Sequence, residues 1–293
     1  MNSNDDKVYP FHLQSAAVRG HIVHLESSWQ EILAHADYSP QVSALLGESL
    51  VASVLFAGAL KFEGRLSIQL RNAGPLKLLF AECTHDGAVR GIARCDEDAT
   101  ERPINLSTPQ TQLVITIENQ QTDHRYQGLV AVESATLAGA FEAYFERSEQ
   151  LPSRIILAVR EGRCAGIMVQ KIAQTDAADD HDAWNRVGHL LATLSNAELL
   201  DLPVDALLLR LFHEEGVVLH EGRPLRFSCS CSRARVLGML RTLGHEEAFA
   251  GLDAQGKLRV TCEFCNRDYV LDEVDLASQF ADVPEAPGPS TTQ

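Results

Sequence analysis

The spacing of apolar residues changes several times along the chain, and each change marks an element. Gly20 to Glu26 reads as a strand, and Ser27 and Ser28 offer caps for a short helix carrying Trp29, Ile32 and Leu33. Pro40 suits a first helical turn and opens a long helix through Leu45, Leu46, Val51 and Leu55 to about Leu60. That helix is apolar nearly all round, so it must lie in a core or against a partner surface. Arg65 to Arg71 alternates Leu66, Ile68 and Leu70 as a strand does, and Asn72-Ala73-Gly74-Pro75 turns the chain. Leu76 to His85 and Val89 to Arg94 flank the hairpin signal Asp86-Gly87. Further strands are predicted at Leu113 to Glu118 and Tyr126 to Val132. Ser134 is the expected cap of a helix with Leu137, Phe141, Tyr144 and Phe145 on one side, and Ile155 to Val159 and Ile167 to Ile172 form a last hairpin around Glu161-Gly162. Strands come in adjacent runs without strand-helix alternation, which favours an α+β fold with a largely antiparallel sheet over a doubly wound nucleotide fold.

The pattern breaks at Thr175 to Ala183, where Asp176, Asp179, Asp180 and Asp182 surround His181 and nothing can pack, the mark of a loop or hinge. Two helices follow: Trp184 to Leu194 carries Val187, Leu190, Leu191 and Leu194, and Pro203 to His213 carries Leu207, Leu208, Leu211 and Phe212 before Gly216 stops the run. Their leucine stripes need a cover, and the long apolar helix at Pro40 to Leu60 is the expected neighbour. Farther on, Ser232 caps a helix with Val236, Leu237, Leu240 and Leu243 that ends at Gly244, and Lys257 to Thr261 and Tyr269 to Leu271 are short strands. Asp282 to Gln293 is rich in Pro, Ser and Thr and is expected to be disordered. The predicted organisation is an α+β domain with a mixed, largely antiparallel sheet over 1–174, a hinge and helical linker over 175–225, a small zinc-binding domain over 226–280 and a tail over 281–293.

Composition narrows the class. With 293 residues and 45% hydrophobic content the chain can build one good core and a smaller second unit. Met1 to Lys7 is polar and acidic, unlike a secretory signal, and the longest apolar stretch, Leu50 to Leu60, has eleven residues, well short of the roughly 20 of a bilayer span. The expectation is a soluble, cytoplasmic protein, and in that reducing compartment clustered cysteines bind metal or do redox chemistry. The net charge of −15 argues against non-specific attraction to nucleic acid or an anionic membrane. Arg226 to Phe280 holds seven Lys/Arg against eight Asp/Glu, so most of the acidity lies before it, as a solubility-giving surface.

That near-neutral segment carries the candidate chemistry. Cys229-Ser230-Cys231 and, thirty residues later, Cys262-Glu263-Phe264-Cys265 are two short knuckles that can supply four thiolates to one tetrahedral zinc ion. Zinc holds such sulfurs deprotonated and therefore open to oxidants, and a sulfenic acid formed on one would be captured by its neighbour, each capture removing two ligands. A CxC disulfide is tight and strained, the labile kind. With only a handful of leucines, the segment is near the size at which a metal is needed as a staple, and losing the metal should melt it. A plain structural knuckle that never cycles satisfies the same spacing.

Other candidates are bland. Cys83, Cys95 and Cys164 lie in predicted strands or turns without companion ligands and read as packed or spectator thiols. His213-Glu214-Glu215 and His245-Glu246-Glu247 lack the second histidine of a metalloprotease helix, their fifth positions being Val217 and Phe249, so they read as helix-end histidines with surface carboxylates. No GxSxG, Walker loop or GxGxxG occurs, and the chain does not read as an enzyme.

Phe227-Ser228-Cys229-Ser230-Cys231-Ser232-Arg233, the helix ending Leu243-Gly244, and Cys262-Glu263-Phe264-Cys265 leading into Tyr269 together resemble the redox-regulated 33 kDa chaperonin (heat-shock protein 33) family. Asn72-Ala73-Gly74-Pro75-Leu76, Tyr144 to Gln150 and Leu211-Phe212-His213-Glu214-Glu215 are similar to landmarks of the same family, so the resemblance spans nearly the full length. It implies an inactive reduced monomer with one zinc ion on Cys229, Cys231, Cys262 and Cys265. It implies further that hypochlorite, or peroxide with heat, forms two disulfides, by position Cys229–Cys231 and Cys262–Cys265. Zinc loss then unfolds the C-terminal unit and destabilises the linker, and the protein, tending to dimerise, holds unfolding clients without ATP. No residue is assigned to client binding. Two other classes compete: a structural-zinc nucleic-acid-binding protein, supported by the knuckles and Arg233, Arg235 and Arg241 but opposed by the charge, and a thiol oxidoreductase using Cys262 and Cys265, which lacks a thioredoxin-like βαβ setting.

Overall fold

The all-round apolar helix is the middle layer between two sheets. The computed structural model describes residues 6–60, 63–96, 103–122, 124–130, 132–172 and 182–280. In chain order the elements begin with β1 (Lys7–Leu13), β2 (Val18–Leu25), α1 (Ser27–Leu33), α2 (Pro40–Ala59), β3 (Gly64–Ala73), β4 (Leu76–Thr84) and β5 (Ala88–Cys95). They continue with β6 (Gln112–Asn119), β7 (His124–Val130), α3 (Leu137–Arg147), β8 (Ser153–Arg160) and β9 (Arg163–Lys171). Then come α4 (Ala183–Ala192), α5 (Asn196–Asp201), α6 (Val204–Phe212), β10 (Val217–Leu219), β11 (Arg223–Pro224) and β12 (Arg226–Phe227). The last elements are α7 (Arg233–Leu243), α8 (His245–Ala250), β13 (Lys257–Thr261), β14 (Asp268–Asp272) and α9 (Glu273–Phe280). The chain divides into two compact units between Ser228 and Cys229.

In the larger unit the first sheet has the order β10-β1-β2-β9-β8, with β11 also on β1, and the second has the order β12-β5-β4-β3-β6-β7. All pairings are antiparallel except β12 on β5. Ser39 caps α2 by accepting from the Val42 N–H, and Pro40 fills its first turn. The helix packs on β2, β8 and β9 of one sheet and on β3, β4 and β5 of the other, so it has no solvent face to keep polar. Its length and hydropathy would also suit a membrane span, a consequence of its burial inside the fold. The eleven-residue apolar stretch read from the sequence stops short because Ser49 and Glu48 interrupt a helix that continues to Pro40.

The linker helices have a different cover from the one expected. Val187, Leu191, Leu199, Leu207, Leu211 and Phe212 pack on the opposite face of the first sheet, against Phe11, Ile22 and Ile167, while α2 belongs to the core on the other side. The physical reason lies in β2 and β9, which are buried along almost their whole length because both faces of that sheet are covered. Phe212 stacks on Phe11 with centroids 6.1 Å apart.

Several caps come from places the local sequence does not mark. Neither Ser27 nor Ser28 caps α1; the Asp6 carboxylate accepts from the Glu26 and Ser28 N–H groups, both at 2.6 Å. Thr136, not Ser134, caps α3, with Ser134 bracing it. α5 and its Ser195–Glu198 capping box lie between the two helices read from the sequence. Ala183 already belongs to α4, Arg226 and Phe227 pair with β5, and the acidic residues 175–181 and the tail 282–293 lie outside the described residues.

Glu215, expected as a surface carboxylate, is buried. Arg186 of α4 grips it with a guanidinium fork, and Ser15 in the β1–β2 turn donates to the same carboxylate at 2.6 Å. A buried carboxylate needs such partners, and here they tie the start and end of the helical linker to one hairpin.

Two buried histidines give this unit a pH dependence. Burial first, then Arg19 and Arg223, hold His21 down from 6.5 to about 4, and burial lowers His24, whose ring bonds the Leu199 carbonyl of α5 at 2.7 Å. Below about 6.5 the unfolded chain takes up protons that the folded chain refuses, so stability is full above that pH and falls toward 4. Between pH 7 and pH 5 His21 alone should remove about 2 kcal/mol. Urea midpoints that stay flat across this range, or that fall as steeply in His21→Gln, would refute the assignment.

Candidate metal centre

The smaller unit is built around two knuckles. Ser232 caps α7 by accepting from the Arg235 N–H at 3.2 Å, which sets the chain direction immediately after Cys231. Arg235 turns back to donate to the Ser230 carbonyl at 2.7 Å, bracing the residue between Cys229 and Cys231. The second knuckle is the loop of the β13–β14 hairpin, whose register runs from Lys257 opposite Asp272 to Thr261 opposite Asp268. Cys262 N–H donates to the Arg267 carbonyl at 2.9 Å, Asn266 N–H donates to the Cys262 carbonyl at 2.8 Å, and Asn266 takes the left-handed conformation with φ 51°. The turn therefore presents both sulfurs on one side.

All four Sγ atoms lie within 4.8 Å of one another, with Cys229 and Cys262 at 3.6 Å and Cys231 and Cys265 at 3.4 Å. A tetrahedron with metal–sulfur bonds near 2.3 Å has sulfur–sulfur edges of about 3.8 Å, so the cluster has the size of a four-thiolate metal site. The donor set fits a soft or borderline cation. Tyr269, on β14, donates its hydroxyl to Cys231 Sγ at 3.1 Å, an outer partner that orients the sulfur. Arg233 donates to the Val270 carbonyl at 2.8 Å and pairs with Asp275, joining the start of α7 to β14 and α9. Two of the arginines that favoured a nucleic-acid reading are thus spent inside the unit. Sequence spacing found the four sulfurs but not these braces, because an arginine's partner on another element leaves no local pattern.

The remaining cysteines stand apart. Burial pushes the Cys83 thiol up to about 12 and Cys164 well above its ordinary value, and it raises Cys95 in the same direction. These thiols keep their protons and are poor targets for oxidants. The exposed His213 and the His245 ring, stacked on Phe249 at 4.2 Å, lie outside the four-sulfur group.

The sequence match that decides the family runs through both units: residues 6–272 match the family described as Hsp33 protein. The chain belongs to the Hsp33 family. The 33 kDa chaperonin of Nitrosococcus oceani is 38% identical over 289 residues, 99% of each chain, and that of Methylobacillus flagellatus is 39% identical over 284 residues, 97% of each. The crystal structure of the 33 kDa chaperonin (heat shock protein 33 homolog) from Thermotoga maritima matches with a TM-score of 0.76 over 94% of this chain and 98% of that one, at 20% identity, a likeness of fold. Hsp33 membership supports a chaperone function.

Proposed function

We propose that this Hsp33 protein is a cytoplasmic, redox-regulated holdase that binds unfolding proteins without ATP or catalytic turnover. The observation that carries the reading is the four-sulfur cluster in a unit whose buried apolar core, among the described residues, is Val236, Leu240, Ala248, Leu271 and Leu276. Cys229, Cys231, Cys262 and Cys265 would hold one zinc ion in the reduced state, which keeps all four sulfurs as thiolates at neutral pH. Hypochlorous acid transfers Cl⁺ to one thiolate and leaves hydroxide; a neighbouring thiolate then displaces chloride and forms the disulfide. Each disulfide gives up two electrons to one oxidant and removes two ligands, so two oxidants empty the site.

The small unit then has too little core to stay folded, and its unfolding would loosen the chain that leads into it, residues 217–228, and with it the linker helices. Release of α4 to α6 would uncover the apolar face built on Phe11, Ile22 and Ile167, where clients and a second oxidised copy can bind. Reduced protein would be monomeric and oxidised protein dimeric. The test is treatment with two equivalents of hypochlorite. The expected result is loss of four thiols, one zinc released per chain, new suppression of a client's aggregation, and disulfides mapped to Cys229–Cys231 and Cys262–Cys265. Activity equal in both redox states would refute the switch. Disulfides across the knuckles, between the sulfur pairs that lie at 3.6 and 3.4 Å here, would refute the pairing.

A further inference from the structure

We propose that the outer edge of β1 is a docking site for an extended segment of an unfolding polypeptide, and that residues 217–224 occupy it in the resting state. The inference rests on the redox reading above, which supplies the release of that strap. The edge itself is drawn by backbone bonds. His220 N–H donates to the Pro10 carbonyl at 2.9 Å, Gln14 N–H donates to the Gly216 carbonyl at 3.1 Å, and His12 lies opposite Val218 in the same antiparallel register. Pro10, His12 and Gln14 therefore turn their peptide groups outward, while Phe11 and Leu13 turn theirs toward β2. Proline at an outward position fits an edge, where its missing N–H breaks no bond within the sheet.

The strap is held lightly along its length and firmly at its ends. Leu219, His220 and Glu221 are exposed and Val217 and Val218 only half buried, so backbone pairing and the hydrogen bond between the stacked His12 and His220 rings, at 2.9 Å, rather than burial keep the strap down. At one end stands the buried Glu215 fork. At the other, Leu225 enters the core, Arg223 donates to the His85 carbonyl and Arg226 pairs with Asp86 at 2.6 Å. Two residues beyond Phe227 the chain reaches Cys229, so the strap is the covalent lead into the redox unit.

A strand edge stripped of its partner presents unpaired donors and acceptors to any extended chain. An unfolding protein offers such segments with no demand on sequence, since the bonds are to backbone. The side-chain period adds a preference. Phe11 and Leu13 point into the same apolar face that α4 to α6 cover, so an incoming strand with alternate apolar residues would extend that face. One release would thus open both a backbone template and the apolar surface beside it.

Amide hydrogen exchange followed by NMR tests this on the full chain, with reduced, carboxymethylated α-lactalbumin as a permanently unfolded probe. His12 and Gln14 amides should exchange at least ~100-fold faster after oxidation and regain protection when the probe binds, while Phe11 and Leu13 stay protected throughout. An alternating valine–threonine decapeptide should compete with the probe, and the same peptide N-methylated at alternate residues should compete at least ~10-fold less well. Equal competition, or a bound probe with His12 and Gln14 still exchanging freely, overturns the docking edge and leaves the holdase reading standing. Reprotection that grows with protein concentration in the absence of probe assigns the edge to a second copy and overturns the proposed occupant. Failure to bind the probe in either redox state overturns both readings together.

Discussion

Cys265→Ser is expected to unfold residues 229–280 and loosen α4 to α6 while leaving the two sheets and α2 folded. Four sulfurs within 4.8 Å form one site, and serine in place of one thiolate leaves three ligands and a weak fourth. Structural zinc contributes about 10–16 kcal/mol in small metal-organised units, comparable to or above the ~5–15 kcal/mol of a whole domain. The small apolar core seen among the described residues of this unit cannot replace that. The core around α2 loses nothing directly, since it is made mainly from residues of the two sheets, α1, α2 and α3. NMR should show the amides of α7, β13 and β14 collapsing to unfolded positions while those of β3, β4 and β9 stay dispersed, and chelation of wild-type protein should reproduce the pattern. A C265S spectrum with β13 and β14 intact would show that side-chain packing, not the metal, organises the unit.

The second large effect is expected from Phe212→Ala. Phe212 is fully buried, stacks on Phe11 and closes the core between α6 and the first sheet. Truncating such a ring costs about 3–5 kcal/mol, a large share of what holds three short helices in place. Reduced F212A, with its four thiols intact and metal bound, should therefore exchange its α4 to α6 amides faster and suppress client aggregation without oxidant. Phe56→Ala is the control: Phe56 is equally buried but packs edge-on against Phe141 and Phe145 in the core on α2's side. It should destabilise the unit without activating the reduced protein. Activation by both variants to the same degree would mean that general instability, not release of the linker, exposes the holding surface.

Legibility in the sequence followed the range of each interaction. The hairpin turns at Asp86-Gly87 and Glu161-Gly162 were readable because glycine must supply a positive φ there, 84° and 76°. The helices α2, α4, α6 and α7 were readable from spacing within each helix. β1 was not, because Lys7, Pro10 and His12 blur its alternation, and they are tolerated because they lie near an edge. Local reading placed the α1 cap on Ser27 or Ser28, whereas Asp6 supplies it from the residue just before β1. It placed Glu215 at the surface because nothing near it in sequence names Arg186 and Ser15 as partners. It also matched the linker stripes to the wrong neighbour: an all-round apolar helix and an uncovered leucine stripe look complementary until a sheet is seen to separate them.

The sequence by itself determined which four cysteines form the candidate metal site, since two knuckles and the turn residues around them are short-range features that a coordination sphere demands wherever the chain runs. It also determined the family and the α+β class. Only the tertiary structure decided that α2 is a layer between sheets, that α4 to α6 cover the far face of one of them, and that residues 217–224 close the edge of β1. The last of these pairings joins residues about two hundred positions apart. Pairing at that distance is selected by the fit of completed surfaces, and it leaves no periodic trace in either partner alone.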